Sequence, residues 1–208
     1  MTFNDMQRWL TQRLSGPQPD QLNGDRLESI ITPLTPASIL APIVFDPTNP
    51  TILLTQRTRH LNKHAGQISF PGGRAEPSDI SPEATALRET QEEIGLPPSS
   101  VVIVGSLPQY ITITGFFITP IVGLVHPGFT LRVDQNEVEE AFEIPLNLVL
   151  NQHNYQRHSY NVEGCEGSYL AISYGERFIW GATAAMLMSL CKCIKLENAD
   201  EQYWQHGN

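Results

Sequence analysis

The sequence predicts an α/β protein, an α/β/α sandwich on a mixed β-sheet with a short helical extension at the N-terminus. Three observations predict it. Apolar, β-prone runs recur from Ser38 to Trp180, two helical patterns at Ser81–Ile94 and Thr183–Leu196 lie among and after them, and an amphipathic segment precedes them all. Strands that surround helices in this way bury both element types best as packed layers. At 208 residues the chain suits one domain with an extension, and no internal repeat is visible. Its expected divisions are residues 1–36 (helix and linker), 37–197 (the main domain) and 198–208 (a polar tail).

Each element has its own signal. Phe3, Met6, Leu10 and Leu14 fall at helical spacing, and the Gly-, Pro-, Gln- and Asp-rich stretch Ser15–Asn23 then serves as a linker. Ser38–Phe45 and Thr51–Thr55 are strand candidates joined by turn chemistry at Asp46–Pro50, which suggests a hairpin. Gln67–Phe70 is a short strand stopped by Pro71-Gly72-Gly73. Ser81–Ile94 is the clearest helix, with Ser81 as N-cap, Pro82 at the first helical position, Glu83 in the first turn and Gly95 at the end. Val101–Leu107, Thr112–Ile118 and Ile121–Val125 follow as strands, Asp134–Glu143 as an acidic loop, and Pro145–Leu150 as a short helix. Leu170–Tyr174 and Phe178–Trp180 are strand-like, and Thr183–Leu196 is an apolar helix.

Composition bounds the function. A hydrophobic content of 40% and a charged content of 17% describe a globular chain. A net charge of −9 argues against nucleic acid or an anionic membrane as partner. It leaves phosphate substrates open, because a bound cation reverses the local field. Cys165, Cys191 and Cys193 form no CxxC or zinc pattern and are expected to be reduced. The apolar stretch Ile111–Val125 is broken by Gly115, Pro120 and Gly123 and is too short to span a bilayer. The N-terminus lacks the apolar run of a signal peptide, so a cytoplasmic protein is expected.

The chemistry concentrates on the Ser81–Ile94 helix. At about 100° per residue, Glu89, Glu92 and Glu93 share an arc of roughly 100°, with Ala84, Leu87 and Ile94 centred almost opposite as the expected core anchors. Like charges at i, i+3 and i+4 repel by a few tenths of a kcal/mol per pair, so packing or a cation must offset them. A hard divalent ion takes oxygen ligands and keeps several waters, which suits such a cluster. Glu76 and Asp79 add carboxylates on the loop before the helix, and Arg88 is placed to orient Glu89. A solvated acidic helix face is the plainer alternative. From Arg57 to Arg74 the chain carries Arg57, Arg59, Lys63, Arg74, His60 and His64 and no acidic residue, a local positive field that suits phosphates or simply a solvated basic loop.

The segment from Gly73 to Leu96, GRAEPSDISPEATALRETQEEIGL, resembles the Nudix box, with Arg88-Glu89-Thr90-Gln91-Glu92-Glu93-Ile94-Gly95-Leu96 matching its second half in spacing. Thr90 stands where an aliphatic residue is usual, Asp79 replaces a glutamate, and eight residues rather than seven separate Asp79 from Arg88. That longer loop is similar to the coenzyme A diphosphatase branch of the family. So is Leu53–Gly73, LLTQRTRHLNKHAGQISFPGG, whose Leu53, Leu54, Thr55, Arg57, Gly66, Phe70, Pro71, Gly72 and Gly73 match that branch, while Thr58 and Asn62 depart from it.

The resemblance implies a Nudix-type sandwich and a diphosphatase acting on a small nucleotide-type substrate, coenzyme A favoured, as monomer or homodimer. It implies Mg²⁺ or Mn²⁺ held by Glu89, Glu92 and Glu93, with Arg88 orienting them and Arg57, Arg59, Lys63, Arg74, Gly72 and Gly73 facing the substrate. The general base stays open between a helix glutamate and one from the later acidic run, Glu137 or Glu140. ADP-ribose, a dinucleoside polyphosphate or NADH are alternative substrates. A Nudix-fold binding module without catalysis is an alternative of another class, disfavoured by the three intact helix glutamates.

Overall fold

The computed structural model of the chain describes residues 1–19, 33–59, 65–162 and 165–194. The main sheet is built on β1 (Thr35–Val44), which pairs antiparallel with β2 (Thr51–Arg57) and with β4 (Gly72–Arg74), and parallel with β7 (Phe116–Val125). β2 carries β3 (Ile68–Ser69) and β8 (Val138–Pro145), while β7 carries β5 (Val101–Ser106) and β6 (Tyr110–Ile111). One parallel pairing among antiparallel ones makes the sheet mixed. A second sheet runs β11 (Arg177–Trp180), β10 (Cys165–Tyr174), β9 (Tyr155–Val162).

Period-two alternation along the central strands divides their side chains between two cores. Ile39, Ala41 and Ile43 of β1, Ile52 and Leu54 of β2, and Val122 and Leu124 of β7 enter one cluster. It is closed by α1 (Phe3–Leu14), α3 (Leu146–Leu150) and α4 (Ala182–Cys193), through residues such as Met6, Leu10, Val149, Leu187 and Leu190. Leu40, Leu53, Ile121 and Val125 face the other way, under Ala86 and Ile94 of α2 (Pro82–Ile94). Helices on both faces of one mixed sheet are the α/β/α sandwich that the sequence predicts.

Several elements differ from the expectation. Thr112–Gly115 is a turn, not a strand, and β7 runs without a break through Pro120. The Pro120 carbonyl accepts from the Leu107 N–H at 2.9 Å. Its nitrogen therefore faces the gap between β5 and β6, and no bond to β1 is lost. Val138–Pro145 is a strand inside the run expected to be an acidic loop, with Val138 and Ile144 buried and Glu139 and Glu143 exposed in alternation. β9 lies where no strand was expected. The tail 198–208, the end of the last helix beyond Ile194 and part of the linker lie outside the described residues.

Candidate active site

Helix α2 is capped as its sequence requires: the Ser81 hydroxyl accepts from the Ala84 N–H at 3.2 Å, and Gly95 closes the last turn in the left-handed conformation. The face it buries is not the expected one. Ala84 and Leu87 are half-buried, whereas Thr85, Ala86, Thr90, Glu93 and Ile94 are buried. Thr90 is tolerated there because its hydroxyl bonds back to the Ala86 carbonyl at 2.6 Å.

The cause of the altered face is the glycine pair on β4, against which α2 packs. A β-carbon on Gly73 would collide with the Glu89 carboxylate, and one on Gly72 with the Ser38 carbonyl. The missing side chain at Gly73 lets the Glu89 carboxylate lie over the strand, while Gly72 lies close against β1. The Gly72 N–H donates to Glu93 Oε2 at 3.1 Å, with Gly72 at φ +147°, a conformation that favours glycine. The turn thus shapes the backbone and also binds a helix glutamate.

The three helix glutamates therefore occupy different environments. Glu93 is only 5% exposed; its other oxygen faces Arg57 Nη1 at 3.8 Å, beyond hydrogen-bond reach. Burial pushes its carboxyl up to about 7, against the smaller opposing pull of the Gly72 N–H and Arg57. Glu89 is half-buried and is also raised, by burial first and then by Glu92 and Glu137, with Arg88 opposing. Glu92, with 61% of its side chain exposed, turns to solvent and to Arg88. The expectation that all three line one open face is corrected: Glu93 lies between helix and sheet, and Glu92 at the rim. Among the described residues no three His, Cys, Asp or Glu side chains converge closely enough to enclose a metal ion.

Arg88 holds this edge together. Its Nε and Nη2 grip Asp79 at 3.0 and 2.9 Å, Nη2 also reaches the Arg74 carbonyl at 3.0 Å, and Nη1 binds Glu89 and Glu92 at 3.0 and 3.1 Å. Asp79 further accepts from the Glu76 N–H and the Thr85 hydroxyl, both at 2.9 Å. Those donors, Arg88 foremost, hold its carboxyl far below the usual range. Asp79 is thus an anchor for Arg88, with its oxygens already taken.

Glu137 sits exposed on the turn before β8, and its charge acts on both Glu89 and Glu93. Glu140 is diverted: Arg177 clasps both its oxygens, and the same guanidinium lies 3.6 Å from the centre of the Phe142 ring. The basic residues also disperse. Arg57 faces Glu93, Arg59 approaches Glu139 at 3.8 Å, and Arg74 lies over the Phe116 ring at 5.3 Å. Lys63, with His60, Asn62 and His64, lies outside the described residues. Sequence reasoning missed Asp79 as the partner of Arg88; the extra residue in its loop hid a spacing that the fold restores.

Among the described residues Glu93 accepts one hydrogen bond, and with Glu89 it offers hard oxygen donors of the type Mg²⁺ or Mn²⁺ takes, ions that complete their shell with water and substrate oxygens.

A model of the NUDIX domain family matches residues 34–160. Over 154 residues the chain is 41% identical to a protein of Escherichia coli K12 named as the uncharacterized Nudix hydrolase NudL, covering 74% of this chain and 80% of that one. The NudL protein of Shigella boydii serotype 18 matches with the same identity and coverage. The crystal structure of a NUDIX hydrolase from Alicyclobacillus acidocaldarius shares the fold with a TM-score of 0.52 and 18% identity, over 82% of this chain and 97% of that one. No described helix is long and apolar enough to cross a membrane. The chain belongs to the Nudix family and is a hydrolase acting on pyrophosphate bonds.

Proposed function

We propose that the chain hydrolyses the diphosphate of coenzyme A or its thioesters, giving 3′,5′-ADP and 4′-phosphopantetheine or the acyl form, with Mg²⁺ or Mn²⁺. The carrying observation is the meeting of Glu89 and Glu93 with the Gly72-Gly73 turn, which closes the segment Leu53–Gly73 that resembles the coenzyme A branch. Glu93 and Glu89, with Glu92 at the rim, would hold the cation, which when bound neutralises the diphosphate and acidifies a water. Arg88 fixes the Glu89 oxygen that faces it. Arg57, 3.8 Å from Glu93, supplies a guanidinium for a diphosphate oxygen. Glu137, exposed on the turn whose backbone is tied to the end of α2, accepts the proton of the attacking water. Glu140 is set aside as base, because its Arg177 partner holds its carboxyl low.

One observation favours a second reading, in which the substrate is another nucleoside diphosphate derivative such as ADP-ribose. Arg59 and Arg74 are turned to Glu139 and Phe116, so among the described arginines of the Arg57–Arg74 segment Arg57 alone faces Glu93. Asn62 supplies neither the charge nor the fork of the arginine usual at its position in the coenzyme A branch. The test is kcat/KM for coenzyme A, dephospho-coenzyme A and ADP-ribose, on wild type and Asn62→Arg. The proposal expects coenzyme A to be cleaved in preference to ADP-ribose, with a weak preference for the 3′-phosphate that Asn62→Arg sharpens. ADP-ribose turned over far better than coenzyme A, with no effect of Asn62→Arg, would leave only the family activity standing.

A further inference from the structure

The backbone that carries Glu137 is tied to the helix that carries Glu93. Beyond β7 the chain crosses the end of α2. There the Arg132 N–H donates to the Ile94 carbonyl at 2.8 Å and the Asp134 N–H to the Glu93 carbonyl at 2.9 Å, occupying two carbonyls that the helix itself leaves open. The chain then reverses at Asp134–Glu137. The Asp134 carbonyl accepts from the N–H groups of Glu137 and Val138 at 3.0 and 2.9 Å. Asp134 Oδ1 accepts from the Asn136 N–H at 2.9 Å and from Asn136 Nδ2 at 2.8 Å. On the far side the Thr58 N–H donates to the Glu137 carbonyl at 3.0 Å, and the buried Thr58 hydroxyl reaches the Asn136 carbonyl at 3.4 Å. Val138, fully buried, enters β8 opposite Arg57, where the pairing register shifts.

The Glu137 backbone is thus fixed from three directions: the last turn of α2, the end of β2 and the core under Val138. Glu137 stays exposed, and its backbone lies beside the end of α2, three residues after Asp134, whose N–H meets the Glu93 carbonyl, and one before Val138, which pairs with Arg57. The side chain that shapes the reversal is Asp134. It is exposed, its backbone N–H meets the Glu93 carbonyl, and its Oδ1 serves two donors of Asn136.

We propose that Asp134, through Asn136, is a positioning residue that fixes the turn carrying Glu137 beside the end of α2 and so sets where its carboxylate stands. This rests on Glu137 being the base in the proposed function. Such bonds within a turn hold one loop geometry against competing ones, and a displacement on the order of 1 Å at a reacting group costs up to about 10²-fold in rate.

The experiment measures kcat and KM for wild type, Asp134→Ala, Asp134→Asn, Glu137→Gln and the double variant Asp134→Ala/Glu137→Gln. The assay uses saturating Mg²⁺ and whichever of coenzyme A and ADP-ribose the wild type turns over faster; folding is monitored by circular dichroism. Asp134→Ala should lower kcat about tenfold with little change in KM. Asp134→Asn, which keeps the Oδ1 acceptor, should restore most of that loss. In the Glu137→Gln background Asp134→Ala should add nothing, because groups that act as one unit are non-additive. An equal further loss in that background, or full activity of Asp134→Ala, overturns the positioning role while leaving Glu137 as base. Near wild-type activity of Glu137→Gln overturns the base assignment and, with it, this proposal.

Discussion

The side-chain surfaces of Asp79 and Glu93 are both covered, with 7% and 6% exposed. Asp79 sits in an exposed loop under the groups that bind it while Glu93 lies between helix and sheet, and their carboxyls move in opposite directions. Asp79 receives a two-pronged guanidinium, a backbone N–H and a hydroxyl, and its ionised form is strongly favoured. Glu93 receives one backbone N–H and an arginine at 3.8 Å, and burial raises it from 4.5 to about 7. That shift favours the neutral form by about 3 kcal/mol, at 1.36 kcal/mol per unit. Depth and donors together separate them: Asp79 is completed by the groups that bind it, while Glu93 lies deeper with fewer donors among the described residues, which is why we propose it as a cation ligand.

The largest effect that can break this comparison is on turnover. Glu93→Gln and Glu89→Gln keep size and remove ligand charge, so each should lower kcat by about 10²-fold or more in saturating Mg²⁺. Near-native turnover of both variants, shown folded by circular dichroism, would place the metal elsewhere. Next comes the glycine that admits Glu89. Gly73→Ala puts a methyl where that carboxylate lies, and should cost about tenfold in kcat while the fold persists. Full activity would show that Glu89 has room to move without consequence. The smallest effect on chemistry and the clearest on stability belongs to Asp79→Asn. Asp79 has a lowered carboxyl, so its contribution is present above the ordinary value of 3.8 and fades as pH falls through the folded value. The variant should melt below wild type at neutral pH, with the gap narrowing toward acid. A gap that widens on acidification would contradict the anchoring role.

How much of this was legible in the sequence follows from the range of the forces involved. The α2 helix, its caps and the central strands were visible because capping and periodicity are local. The fold class followed from their order. The strand at Val138–Pro145 was hidden by charge: Glu139, Glu140 and Glu143 outweigh an alternation that is plain once Val138 and Ile144 are seen as buried. The strand at Tyr155–Val162 carries Gln156, Arg157, His158 and Asn161 among its apolar positions, and its partner supplies the order. At the site, helical phase put three glutamates on one arc but could not tell which of them faces the sheet. That was decided by two glycines on another strand: Gly73 leaves room for the Glu89 carboxylate, and Gly72 turns its N–H to Glu93. The dispersal of Arg57, Arg59 and Arg74 is likewise set by Glu93, Glu139 and Phe116, all of them far along the chain from their partners.

In the function proposed above, Glu93 is a buried carboxylate that a bound cation completes. Its raised carboxyl contributes stability in full below about pH 4.5 and loses it as pH rises through about 7, unless a bound cation stabilises the ionised form. The direct measurement is thermal unfolding of wild type and Glu93→Gln at about pH 5.5 and about pH 8.5, with and without Mg²⁺. Without Mg²⁺, the variant should melt above wild type at the higher pH by on the order of 5–10 °C, and by less at the lower pH. Mg²⁺ should raise the wild type chiefly at the higher pH and the variant little. An equal Mg²⁺ shift in both proteins, or a wild type that gains stability relative to Glu93→Gln as pH rises without metal, would contradict the account.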